Sequence, residues 1–239
     1  MTTAVKNSVY RLEIERVTEP DSTRDGENLG TMVCFHSRYS LGDRHSYGDK
    51  DAFLFDLLEN QTGDTEKAER KYEELAEKVD RSIYKRSGAH NKAVDDEVID
   101  FLMQKHIILP LFLYDHSGIA MNTKGFSCPW DSGQIGWIYV SHDELRKQMG
   151  IHEIIPEALK RVEEILETEV HEYDCYLRGE CYGYRLYEND VEVDSCYGFV
   201  GEFDDVKKQI TEYLPEDAKE LAEAAEYGEE ITDEEELVL

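Results

Sequence analysis

The sequence predicts an α+β fold, a mostly antiparallel mixed sheet with packed helices and an acidic C-terminal tail. Three observations carry this. Val9–Val17 alternates apolar and polar residues with the period of a strand, and Pro156–Leu177 repeats apolar residues at helical steps. The remaining strand-like and helix-like segments follow one another without the βαβ rhythm of a doubly wound sheet.

In the first segment Tyr10, Leu12 and Ile14 fall on one side and Arg11, Glu13 and Glu15 on the other, as in a half-buried strand. After a polar stretch holding Pro20 and Gly26, Leu29–His36 reads as a second strand, expected to pair antiparallel with the first across a long loop. Ser37–Lys50, punctuated by Gly42 and Gly48, reads as a loop. Asp51–Asn60 is a predicted helix with Phe53, Leu54, Leu57 and Leu58 inward. Thr65–Tyr84 is a second, mostly polar helix with a thin stripe of Tyr72, Leu75, Ala76 and Val79. A break is expected at Ser87–Gly88, before a helix over Val94–His106.

The centre is the most apolar part, with buried strands at Ile107–Tyr114 and Gln134–Val140 flanking a glycine-bearing loop. His142–Gly150 reads as a short helix capped by Ser141. In Pro156–Leu177 the periodic positions are Leu159, Val162, Leu166, Val170, Tyr173 and Leu177, and Pro156 sits where a helix tolerates proline. Cys181–Tyr187 and Val191–Phe199 form a predicted hairpin around Asn189–Asp190, and Asp205–Leu214 a last short helix. The expected organisation is one domain over residues 1–214 and an acidic tail over 215–239, with Ala218–Tyr227 able to continue as helix.

Charge is the outlier: 54 Asp and Glu stand against 26 Lys and Arg, a formal net of −28. Such a surface repels phosphate backbones and anionic headgroups, so direct nucleic-acid and membrane partners are not expected. Glu216–Leu239 alone holds eleven acids and one lysine. Five cysteines in no CxxC pair, no signal-peptide pattern and no apolar run of about 18 residues predict a cytoplasmic protein with reduced thiols.

Two loops could carry chemistry. Tyr114–Ile138 gathers Asp115, His116, Cys128 and Asp131 among glycines, between two apolar strands. A nucleophilic reading makes Cys128 the thiolate, His116 its base and Asp131 or Asp115 the orienting carboxylate. The bland reading is an ordered loop with Trp130 plugged into the core. No cofactor is expected. The alternative is a divalent metal such as zinc or manganese on His36, Asp43, His45, Asp115 and His116, although their spacing matches no metal motif. The aromatic hairpin, with Tyr182, Tyr184, Tyr187, Tyr197 and Phe199, could stack bases, but its neighbours are acidic and cross-strand packing is the default.

Helix carboxylates three and four residues apart lie about 5–6 Å from one another at Cβ, close to the spacing of phosphates along a nucleic-acid strand. Glu157, Glu163, Glu164, Glu167, Glu169, Glu172 and Asp174 fall largely on the non-core faces of the long helix. The expected partner-binding residues are Glu163, Glu164 and Glu167 of this helix and Glu229, Glu230, Asp233 and Glu234 of the tail.

Leu29–Asp43 (LGTMVCFHSRYSLGD), Leu109–Gly118 (LPLFLYDHSG) and Phe126–Trp137 (FSCPWDSGQIGW), with elements near Tyr173 and Asp194, resemble a family of proteins carried by bacteriophages, prophages and other mobile elements. The resemblance spans roughly Val9–Val200 and transfers no catalytic residue. It implies a bacterial host cell, where small acidic phage proteins are often inhibitors of host defence, including DNA mimics that block restriction or CRISPR nucleases. The expectation is therefore an acidic accessory protein binding a basic, nucleic-acid-handling host protein or nuclease complex. The alternatives are a metal- or Cys-dependent hydrolase acting on a small or nucleotide-like substrate, and a nucleotide or small-molecule sponge.

Overall fold

The computed structural model describes residues 2–7, 9–150 and 154–228. Along the chain run β1 (Thr2–Lys6), β2 (Tyr10–Arg16), β3 (Thr31–Cys34), α1 (Lys50–Thr62), α2 (Thr65–Lys78), α3 (Ser87–Leu102) and β4 (His106–Asp115). There follow β5 (Ile119–Asn122), β6 (Ser132–Ser141), α4 (His142–Met149), α5 (Pro156–Leu177), β7 (Cys181–Glu188), β8 (Val191–Val200), α6 (Phe203–Tyr213) and α7 (Lys219–Ala224). The fold is α+β with two antiparallel sheets. Two compact units form: Met1–Gly26 with Asp115–Met121 and His171–Leu239, and Glu27–Tyr114 with Asn122–Val170.

The first unit is built on the sheet β1-β2-β7-β8. β2 pairs with β1 and β7, setting Leu12 opposite Leu186 and Ile14 opposite Tyr184. The pairing of β2 with the strand at Leu29–His36, expected from sequence, does not occur. β3 belongs to the other sheet, against β6, because the inward side chains of β2 match those of the distant β7. Asn189 and Asp190 both adopt positive φ, 48° and 61°, and close the β7–β8 hairpin with the twist that flanking strands prefer.

α6 and α7 cover this sheet. Val206, Ile210 and Leu214 of α6 and its C-terminal end share one core with Leu12, Ile14, Tyr182, Tyr184, Leu186 and Phe199. Ala218, Leu221, Ala222 and Ala225 belong to the same core, so packing continues past the boundary expected at 214/215. Thr3 ties the segment down: its hydroxyl donates to the Glu226 carbonyl at 3.0 Å and accepts from the Gly228 N–H at 3.1 Å.

In the second unit β6 is flanked by β3 and β4. α1, α2 and α3 pack on one face, where Phe53, Leu57, Leu58, Leu75, Val98 and Leu102 meet Val33, Ile108 and Trp137. On the opposite face of β6, Leu166 of α5 reaches Ile138 and Gly30. A Cβ on Gly30 would lie 2.5 Å from Leu166 Cδ2 and 2.8 Å from Ile138 Cγ1, so a larger residue would push these side chains from their packed positions. Asp49, Asp64 and Ser141 cap α1, α2 and α4 by accepting the N–H groups of Ala52, Lys67 and Glu144. Where a break was expected at Ser87–Gly88 the chain is already helical: α3 starts at Ser87 rather than Val94 and ends at Leu102, and His106 opens β4. α2 ends at Lys78 rather than Tyr84, as the chain turns through a short 3-10 segment, Arg81–Ile83. Among the described residues no helix is long and apolar enough to cross a membrane.

Candidate functional site

The first loop is organised by backbone contacts. His36 Nδ1 accepts the N–H groups of Arg38 and Tyr39 at 3.4 and 3.3 Å, and its ring stacks on Tyr39 at 5.0 Å. Asp43 accepts the Met32 N–H at 2.7 Å, and His45 Nε2 lies 3.0 Å from the Cys34 carbonyl. These three side chains hold the loop's own turns against β3. Asp115 and His116 fall in the first unit, whereas His36, Asp43 and His45 fall in the second. Among the described residues no group of three or more His, Cys, Asp or Glu is arranged to hold a metal ion.

Cys128 and Asp131 are brought together in the second unit, the thiol donating to Asp131 Oδ2 at 3.4 Å. The Ser132 hydroxyl closes the same turn on the Cys128 carbonyl at 2.6 Å. Trp130 corrects an expectation: it is 92% exposed rather than plugged into the core. The tight turn from Cys128 to Ser132 projects it outward, and beneath the loop Phe126 packs on Tyr114 at 5.5 Å between ring centroids. All five cysteines are free, and burial pushes the Cys175 thiol up to about 11 and that of Cys181 upward as well.

In the aromatic hairpin Tyr182, Tyr184 and Phe199 are core residues facing α6, and Tyr197 is exposed. Burial, followed by hydrogen bonding to Asp194 at 2.6 Å, pushes the Tyr184 phenol upward.

The carboxylates divide into two kinds. Glu163 and Glu164 of α5 are exposed, Glu164 with Lys160 at 3.8 Å, and Glu167 is half-buried beside Lys124 at 3.4 Å. Glu169 and Asp174, which the helical pattern groups with these surface acids, instead serve the backbone. Glu169 accepts the Leu29 N–H at 2.6 Å, and Asp174 accepts the Met121 N–H at 2.6 Å. Glu229, Glu230, Asp233 and Glu234 lie outside the described residues.

Sequence reasoning passed over the most regular acidic face. On α2, Glu66, Glu69, Glu73 and Glu77 are all exposed, opposite the buried Ala68 and Leu75. Steps of three and four residues align them in one stripe about 16 Å long at 1.5 Å per residue. Arg70 flanks the stripe as one cation beside four carboxylates. The 3-4-4 spacing of these glutamates was the signal in the sequence. Comparisons with family models, curated proteins and solved structures found no match.

Proposed function

We propose that this is an acidic accessory protein that binds a basic protein surface and inhibits a host nucleic-acid-handling defence system by occupying a groove that otherwise holds nucleic acid. The observation that carries the reading is the α2 stripe: four exposed carboxylates on a rigid helix, repeating at about the interval of backbone phosphates. The exposed acids Glu163 and Glu164 of α5 supply a second row. Held on helices, the carboxylates keep fixed spacing at little entropic cost on binding. The net charge of −28 accelerates encounter with a cationic groove.

The test is retention of bacterial lysate proteins on immobilised protein, followed by competition with DNA or RNA for any retained partner. The expected partner is a nucleic-acid-binding protein, held at low salt, released at high salt because exposed charges are screened, and displaced by its own nucleic acid. Replacing Glu66, Glu69, Glu73 and Glu77 with Gln, or Glu163, Glu164 and Glu167 with Gln, weakens retention and leaves the circular dichroism spectrum unchanged. Equal retention by both variants, or a partner indifferent to nucleic acid, overturns the reading.

A further inference from the structure

A cleft of about 540 Å³ opens in the second unit, within the range of small-molecule sites. Its apolar wall is formed by Phe35, Phe112, Ile135 and Trp137, where the β3 end of the sheet meets β4 and β6. The opposing side is charged. Lys50 at the start of α1 contacts Asp95 at 2.5 Å and Asp51 at 3.0 Å, and Lys92 contacts Asp96 at 2.8 Å, both pairs lining the cleft. The Asp95 side chain is only 16% exposed, so its charge acts in a partly desolvated setting.

These charges choose a ligand. Lys92 is neutralised by Asp96, and Lys50 is shared by Asp51 and Asp95, so one negative charge is left on the Asp51–Lys50–Asp95 group beside the aromatic wall. An anion meets cations that are already neutralised and must displace a carboxylate. A monocation meets the surplus charge, with aromatic rings alongside. The volume suits a ligand of one or two rings.

We infer that this cleft binds a small aromatic ligand carrying one positive charge, its ring against Phe35, Phe112 and Trp137 and its cationic group at Asp51 and Asp95. The site is separate from the α2 stripe, and its success or failure leaves the accessory-protein reading untouched.

The sequence holds two tryptophans, so Trp130→Phe leaves Trp137 in the cleft wall as the sole tryptophan reporter. The probes are 2-phenylethylamine, its neutral analogue 2-phenylethanol and the anion 3-phenylpropionate, titrated against the emission of W130F. The amine gives a saturable change, the alcohol binds about tenfold more weakly, and the carboxylate gives no saturable response. Adding Asp95→Asn weakens amine binding about tenfold. Adding the exposed Asp51→Asn, which leaves the Lys50–Asp95 contact in place, weakens it several-fold. Glu69→Gln, on α2, leaves it unchanged and controls for the general attraction of cations to an acidic protein. No saturable response to the amine overturns the inference, as does equal binding of amine and alcohol, or a loss in E69Q matching that in D51N.

Discussion

The carboxylate of Asp174 accepts the backbone N–H of Met121 at 2.6 Å through one oxygen and the Arg178 Nε–H at 3.0 Å through the other. Arg178 in turn donates to Glu180 at 2.7 Å. A buried acid late in α5 thus anchors the Asp115–Met121 segment within the first unit. Asp174→Ala removes the acceptor of the Met121 N–H and one of the carboxylates on Arg178, and lowers stability by about 2–4 kcal/mol. Glu163→Gln, on the exposed face of the same helix, changes it by less than about 0.5 kcal/mol. Urea denaturation followed by circular dichroism separates the two.

The two tryptophans stand seven residues apart in opposite environments, Trp130 92% exposed and Trp137 7% exposed. Trp137 packs on Phe53 at 5.7 Å between ring centroids. Trp137→Ala opens a cavity in the second unit and costs about 3–5 kcal/mol. Trp130→Ala leaves stability within about 0.5 kcal/mol of the parent. Thermal and urea melts of both variants check this, and an equal loss in the two would contradict the placement of Trp130.

His106 gives the second unit a pH dependence. Burial holds its imidazole below the usual histidine range, and Nδ1 lies 3.1 Å from the Leu102 carbonyl, a contact that an Nδ1–H donor satisfies. A base with a depressed folded value binds fewer protons folded than unfolded. The stability of the neutral ring is fully present above the unfolded value of about 6.5, and it is lost as pH falls from there through the lower folded value. Urea midpoints at pH 7.5 and 5.5 therefore fall further apart in the parent than in His106→Asn, which retains a donor but does not titrate. His142, also depressed by burial, remains in both proteins and contributes to the residual dependence.

A chain ending at Leu214 loses Ala218, Leu221, Ala222 and Ala225 from the core of the first unit. It also loses the bonds from Thr3 to Glu226 and from Lys207 to the Ala225 carbonyl. Deleting the buried Leu221 side chain alone costs about 2–5 kcal/mol. The truncated protein therefore exposes Leu12, Ile14 and Tyr184, binds a hydrophobic dye and melts far below the parent. Matching melting curves would show that this segment adds nothing.

Much of the fold was legible where the pattern is local. Pro156 and the spacing of Leu159, Val162, Leu166 and Val170 mark the observed limits of α5, and Asn189–Asp190 marks the turn that both residues close with positive φ. Pairing was not legible, because Leu12 finds Leu186 only after the chain has built another unit in between. β1 gave no signal: in Thr2–Lys6 only Thr3 is buried. Helical periodicity also cannot tell Glu169 and Asp174 from Glu163, since what distinguishes them is a backbone N–H supplied from elsewhere in the chain. The cleft was hidden for the same reason: Phe35, Asp95 and Trp137 come from three separate segments.

The interleaved architecture also orders events during synthesis. β1 and β2 leave the ribosome well before β7, the neighbour that Leu12 and Ile14 require, which follows only after the whole second unit. At about 5–20 residues per second the delay is on the order of 10–30 s. A two-stranded ribbon is marginal in water, so throughout this interval the nascent chain carries an apolar strand with an open edge. Shielding by a chaperone, or by the ribosome surface itself, is the natural demand of a fold whose first strands wait for its last third.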